Sequence, residues 1–140
     1  MNQKEKEEKR RMLAAAAIDA ARKSYSPYSG FRVGAALLTE EGRIFTGCNI
    51  ENAAYTPTIC AERTAIFKAV SEGYRNFSAI AITGGKDGIG PAAPCGVCRQ
   101  VMMEFCRGDF EILLVSGENS FEIHSLEELL PLGFGPANLK

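Results

Sequence analysis

Cys60, Glu62, Cys95 and Cys98 are the residues whose types and spacing point to chemistry. Cys95-Gly96-Val97-Cys98 is a C-x-x-C where a turn runs into a helix, and i, i+3 spacing puts both sulfurs on one helical face. A helix N-terminus carries unpaired N–H groups and the positive end of the dipole, which favour thiolate over thiol. Cys60 takes the equivalent place on its own predicted helix. Two such N-termini aimed at one spot would hold three thiolates around a zinc ion, and ion and ligands together would carry one negative charge. Three protein ligands leave a fourth tetrahedral position for water, the arrangement of a catalytic site. Bound zinc lowers the pKa of that water toward about 7. Glu62, two residues beyond a ligand, can reach the water without binding the metal, take its proton and deliver it to a substrate nitrogen.

The same residues admit other readings. The C-x-x-C alone could be a redox pair, although the usual preceding strand is missing. A closed structural zinc could recruit Cys48 or Cys106 as a fourth ligand. Against this, Cys106 follows Cys98 and Met102 at helical spacing, which puts it on a packed face, and Cys48 ends a strand as a small hydrophobe. Glu62 could be a favourable first-turn acid and nothing more. His124, the single histidine, sits in a short predicted strand with no cysteine or carboxylate motif beside it, and is read as structural.

The elements that must position these groups follow from periodicity. Residues 3–23 carry good helix formers, with apolar residues at 13, 16, 17 and 20, and predict an amphipathic helix. Its charge run, residues 4–11, interleaves five basic with three acidic residues and reads as a solvated face. After a turn-rich stretch at 24–30, residues 31–39 and 43–48 form a hairpin about Glu40-Glu41-Gly42. Residues 49–58 read as a loop, 59–71 as a helix burying Ala61, Ala65, Ile66, Ala69 and Val70, and 78–83 as a strand. Residues 84–91 are read as a flexible glycine-rich loop that matches neither phosphate-binding glycine pattern. A helix at 95–107, strands at 110–116 and 120–124 and a short helix at 126–130 complete the order α-β-β-α-β-α-β-β-α. Helices falling between strands predict one sheet covered on its faces, an α/β layered domain, with residues 1–140 as a single unit.

Composition bounds the function. At 140 residues, 46% hydrophobic and 24% charged, the chain has the size and balance of one globular domain. A net charge of −1 gives no general attraction to nucleic acid or to anionic membrane. No apolar run approaches the roughly 20 residues that span a bilayer. The first eleven residues are charged where a signal peptide would turn apolar, so a cytoplasmic protein is expected. Five cysteines against one histidine, without secretory features, favour metal or catalytic use of thiols over a disulfide framework.

Cys60-Ala61-Glu62-Arg63 followed by Pro94-Cys95-Gly96-Val97-Cys98-Arg99-Gln100 resembles the zinc signature of the cytidine deaminases, a class whose three-cysteine variant is known in general terms. Tyr25-Ser26-Pro27-Tyr28-Ser29-Gly30-Phe31, Asn49-Ile50-Glu51-Asn52-Ala53 and Glu128-Leu129-Leu130-Pro131 also stand where the small homotetrameric members have them, so the resemblance runs from about residue 12 to the C-terminus. It implies a three-layer α/β/α fold with a mixed five-stranded sheet, and one zinc per subunit on Cys60, Cys95 and Cys98. It further implies Glu62 as the proton shuttle, Asn49 and Glu51 on the ribose 3′-hydroxyl, Phe31 against the pyrimidine and the backbone around Ala61 reading the base. Phe134 would reach a neighbouring subunit's site in a homotetramer. Arg63 would hydrogen-bond ligand sulfurs and offset their charge, restoring Lewis acidity to an electron-rich ion. The implied reaction is zinc-dependent hydrolysis of cytidine and 2′-deoxycytidine to uridine and 2′-deoxyuridine with release of ammonia, a step of pyrimidine salvage, acting on a nucleoside with no nucleic-acid or membrane partner.

Overall fold

The computed structural model describes residues 2–140. Helix α1 (Gln3–Ala21) starts at Asn2, whose side chain accepts from the Glu5 N–H at 2.9 Å and satisfies one of the donors a helix start leaves unpaired. Strands β1 (Arg32–Thr39) and β2 (Ile44–Cys48) form the predicted hairpin, and helix α2 (Ala61–Ser71), strand β3 (Phe77–Gly85) and helix α3 (Gly96–Phe105) follow. Strands β4 (Glu111–Gly117) and β5 (Ser120–Ser125), helix α4 (Leu126–Leu129) and a 3-10 turn at Pro136–Asn138 complete the chain. The five strands lie in the order β2-β1-β3-β4-β5. Only β3 and β4 are parallel, as a helical crossover through α3 requires, so the sheet is mixed.

Alternation along the strands divides the core between the two faces. Ala35, Leu37, Ile80, Ile82 and Ile112 turn toward α2 and α3, where they bury with Ala61, Ala65, Ile66, Cys98 and Met102. Ala36, Ala79, Ala81, Leu113 and Val115 turn the other way and pack on Leu13, Ala14 and Ala17 of α1. The result is the expected three layers. Two glycines set how closely the layers approach. A Cβ at Gly34 would stand 2.1 Å from the Ala17 carbonyl oxygen, and one at Gly47 would stand 2.6 Å from both the Ala61 oxygen and the Ala65 nitrogen. Gly47 therefore fixes the height at which α2 begins above the sheet.

The structure corrects two local expectations. Gly84 and Gly85 belong to β3, paired with Val33 and Arg32 of β1, because the long first strand offers ladder partners beyond Thr83 that override weak glycine propensity. The loop proper is shorter, and it is tied down: Gly84 N–H donates to the Gly90 oxygen at 2.8 Å, and Gly90 N–H to Thr83 Oγ1 at 3.0 Å. His124 is also not isolated from carboxylates. Its Nδ1 lies 2.5 Å from Glu128 and its Nε2 3.2 Å from Glu122, since the start of α4 folds Glu128 back toward β5. The charge run on α1 is solvent-exposed as expected except at Arg10, which makes a two-point contact with Glu111 at 3.1 and 2.7 Å.

Candidate active site

Cys60 and Cys95 occupy the N-cap positions of α2 and α3, and Cys98 follows one turn into α3. The start of α2 is pinned from outside by a two-bond bridge, Ile50 N–H to the Ile59 oxygen and Ile59 N–H to the Ile50 oxygen, each at 3.0 Å. The start of α3 is pinned by Arg99, which donates to the Pro94 oxygen and to the Leu129 oxygen, both at 2.7 Å. These anchors bring the sulfurs together. Cys60 and Cys95 are 3.7 Å apart, Cys95 and Cys98 3.4 Å, and all three lie within 4.8 Å of one another. A tetrahedral zinc with bonds of about 2.3 Å would hold its sulfurs roughly 3.8 Å apart, so this triangle fits the ion.

The donor set calls for a cation. Cys60 is pulled down to about 5, first by the Cys98 thiol donating to it, then by Arg63 and Cys95, against the opposing effect of burial. The same bond to Cys60, together with burial and the nearby Glu62, pushes the Cys98 thiol well up. Two adjacent sulfurs can share one negative charge, and a further charge on each needs a positive centre between them. Arg63 supplies part of it from the side, its Nη2 donating to Cys60 Sγ at 3.5 Å. Arg63 Nε is buried and without a partner among the described residues.

Glu62 is 4% exposed on the first turn of α2. Burial pushes its carboxyl up to about 7, with the charge on Cys60 adding to the rise and Arg63 opposing it. A carboxyl in that range takes and returns a proton at neutral pH with little cost in either direction. Glu62 opens on a cavity of about 190 Å³ shared with Phe31, Asn49, Thr58, Cys60, Ala61, Ala92 and Cys95. Phe31, 41% exposed, forms its mouth. The N–H of Ala61, first residue of α2, has no partner within the helix and is available to a ligand.

A second cavity of about 310 Å³, lined by Tyr28, Ser29, Glu51, Asn52, Tyr55 and Thr58, adjoins the first at Thr58. The two residues expected at the ribose line one cavity each, Asn49 the first and Glu51 the second. Asn49 Oδ1 accepts from Ser24 Oγ at 2.5 Å and from Val33 N–H at 2.9 Å, and Asn49 Nδ2 donates to the Phe31 oxygen at 2.9 Å. One N–H of the amide is left over. Glu51 accepts from Tyr28 N–H at 2.9 Å and Ser29 N–H at 3.1 Å through one oxygen, and from Ser29 Oγ through the other. These bonds, the Ser29 hydroxyl foremost, hold its carboxyl below the usual range. It keeps one lone pair free.

Of the remaining candidates, Phe134 lies outside both cavities; it is 58% exposed, with its carbonyl held by Gln100 Nε2 at 2.8 Å. Cys48 and Cys106 stand outside the sulfur cluster. Cys48 donates to the Lys23 oxygen, and Cys106 packs on the α2–α3 core with its thiol pushed up to about 12 by burial. Neither supplies a fourth ligand. Sequence reasoning gave no role to Ser24, Ser29, Thr58 or Ala92, because isolated small and hydroxyl residues in loops carry no periodic signal. A third cavity of about 250 Å³, between α1 and the far end of the sheet, holds none of the three thiols and takes no part in this chemistry.

An α/β/α fold in which two helix N-termini converge three thiols on one point, with a buried carboxyl beside them, defines a zinc-dependent hydrolase. Comparison with known proteins narrows the class. Residues 7–113 match the family model described as the cytidine and deoxycytidylate deaminase zinc-binding region. The cytidine deaminase of Sporosarcina psychrophila is 50% identical over 127 residues, covering 91% of this chain and 92% of that protein. That of Mycobacterium tuberculosis is 40% identical over 124 residues, covering 89% and 88%. The crystal structure of cytidine deaminase from Burkholderia pseudomallei superposes with a TM-score of 0.81 at 48% identity, covering 88% of this chain and 97% of that one. The chain belongs to the cytidine and deoxycytidylate deaminase family.

Proposed function

We propose that this chain hydrolyses cytidine and 2′-deoxycytidine to uridine and 2′-deoxyuridine, releasing ammonia. The observation that carries the reading is the buried Glu62 beside the Cys60–Cys95–Cys98 triangle, at the back of a cavity whose mouth holds Phe31 and whose flank holds Asn49. The three thiols would hold a zinc ion, which when bound would supply the Lewis acidity that makes water a nucleophile at neutral pH.

The chain's own groups do the rest. Phe31 covers the pyrimidine and sheds water from it. The Ala61 N–H, at the positive end of α2, faces the base. A ribose 3′-hydroxyl donates to the free lone pair of Glu51 and accepts from the free Asn49 amide hydrogen, which sets the nucleoside's depth and rotation. Glu62 takes a proton from the attacking water and places it on N3, so that C4 becomes electrophilic. It then passes the second proton of that water to the exocyclic amino group, and the C4–N bond breaks with ammonia as leaving group. Substrate and water yield product and ammonia with every proton accounted for, and one carboxyl serves both transfers. Arg63 holds Cys60 and tempers the charge of the sulfurs.

Residues 1–140 act as a single domain, supported by one sheet with both faces covered. Exposed Phe67, Val97, Leu132 and Phe134 support assembly into a homotetramer in which Phe134 completes a neighbour's site. Reactive thiolate ligands suit a reducing compartment, the cytoplasm. No helix among the described residues is long and apolar enough to cross a membrane. The test is direct. Zinc-loaded protein mixed with cytidine shows the ultraviolet change to uridine with ammonia released in equal amount, a chelator stops it and zinc restores it. Absence of uridine from zinc-loaded protein overturns the reading.

A further inference from the structure

We propose that Lys86 is a positioning residue for the ribose end of the site, acting through Ser29 on Glu51. Lys86 stands just beyond β3, on the loop that leads to Cys95, and its Nζ donates to the Ser29 oxygen at 2.7 Å. It lies over Gly30, where a Cβ would be 3.6 Å from Nζ. Every polar atom of Ser29 is engaged. Its N–H and Oγ go to the two oxygens of Glu51, its Oγ also accepts from Phe31 N–H at 3.0 Å, and its carbonyl takes Lys86. Ser29 thus joins the carboxylate expected at the 3′-hydroxyl to the backbone of the aromatic expected at the base, and Lys86 closes that junction from the opposite loop.

The platform from which Lys86 reaches is stiff. Gly88 N–H donates to the Gly85 oxygen at 3.1 Å, Ile89 N–H to Asp87 Oδ1 at 3.1 Å and Gly90 N–H to Thr83 Oγ1, which itself donates to the Val115 oxygen at 3.0 Å. The loop is thereby bolted to β3 and β4, and the lysine transmits that fixed position to the 28–31 turn. A turn left unclamped keeps its fold but presents Glu51 over a wider range of positions, which weakens ground-state binding of the ribose without touching proton transfer at Glu62.

The inference rests on the assignment of Glu51 to the 3′-hydroxyl, and its test separates the two. Kinetics are measured for wild type, Lys86→Met, Lys86→Arg and Glu51→Gln in the zinc-loaded protein, with cytidine and with 3′-deoxycytidine. Lys86→Met is expected to raise KM for cytidine about three- to tenfold with kcat unchanged, the scale of one lost charge-assisted hydrogen bond near solvent. It should lower kcat/KM for 3′-deoxycytidine less than for cytidine, and Lys86→Arg should restore the cytidine value. If Glu51→Gln discriminates between the nucleosides and Lys86→Met affects both equally or neither, the role of Lys86 is overturned while that of Glu51 stands. If Glu51→Gln shows no discrimination, the ribose assignment fails and the role of Lys86 fails with it.

Discussion

Gly47→Ala tests how the sheet controls the metal site from behind. The added Cβ would lie 2.6 Å from the Ala61 oxygen and the Ala65 nitrogen, where ordinary contact begins at 3.4 Å. Both are backbone atoms of the first two turns of α2, so no side chain can rotate away. The helix start must lift by about 0.8 Å, and it carries Cys60 as N-cap and Glu62 on its first turn. Metal–ligand distances tolerate about 0.2 Å. Cys95 and Cys98 sit on α3, whereas the atoms nearest the added Cβ all belong to α2, so the lift opens the sulfur triangle on one side only. Overpacking of this kind costs about 1–3 kcal/mol, roughly 3–12 °C in Tm for a domain of this size. A displacement near 1 Å at a catalytic group costs about a hundredfold in turnover. Zinc per chain, Tm and cytidine turnover are measured on one preparation. All three are expected to fall, with turnover falling further than zinc loss alone explains. A variant with full zinc, wild-type Tm and turnover within about twofold would refute the claim that Gly47 sets the height of α2.

Cys48→Ala and Cys106→Ala, separately and together, are expected to retain one zinc per chain and wild-type kcat; loss of zinc in either would revive a closed four-cysteine site. The pH dependence of stability is expected to carry the mark of His124. Glu128 and then Glu122 raise its pKa above 6.5, while His124 holds Glu128 below 4.5. The histidine's contribution is complete below 6.5 and fades as pH rises through its higher folded value; the contribution of Glu128 is present above 4.5 and fades as pH falls through its lower one. The Tm difference between wild type and His124→Gln should therefore peak at about pH 5–6 and shrink toward pH 9 in thermal melts. A difference that grows with pH contradicts it.

Much of the site was legible because its chemistry sits on regular elements. A cysteine at a helix start, a carboxylate two residues on and a C-x-x-C at another helix start are local patterns, and the structure makes Cys60 and Cys95 N-caps. The layer order was legible too, since alternation and helical periodicity both survive in sequence. What was hidden depends on partners far along the chain. Gly84 and Gly85 become strand only because Arg32 and Val33 are there to pair with them. His124 meets Glu128 only because α4 folds back on β5. The commitments of Ser24 and Ser29 to Asn49 and Glu51 join loops more than twenty residues apart, and no spacing rule announces them. The roles expected of Asn49, Glu51 and Phe134 rest on family resemblance; local propensity alone reads them as turn and tail.

Glu62 is proposed to move the protons of the reaction without binding the metal. Glu62→Gln keeps the size of the side chain and removes its ability to take a proton. Turnover of cytidine per bound zinc is the measurement. A proton-moving Glu62 leaves the variant with one zinc per chain and a kcat lower by about 10²–10⁴. Near-normal turnover per zinc, or a loss of activity that only follows a loss of zinc, would contradict it.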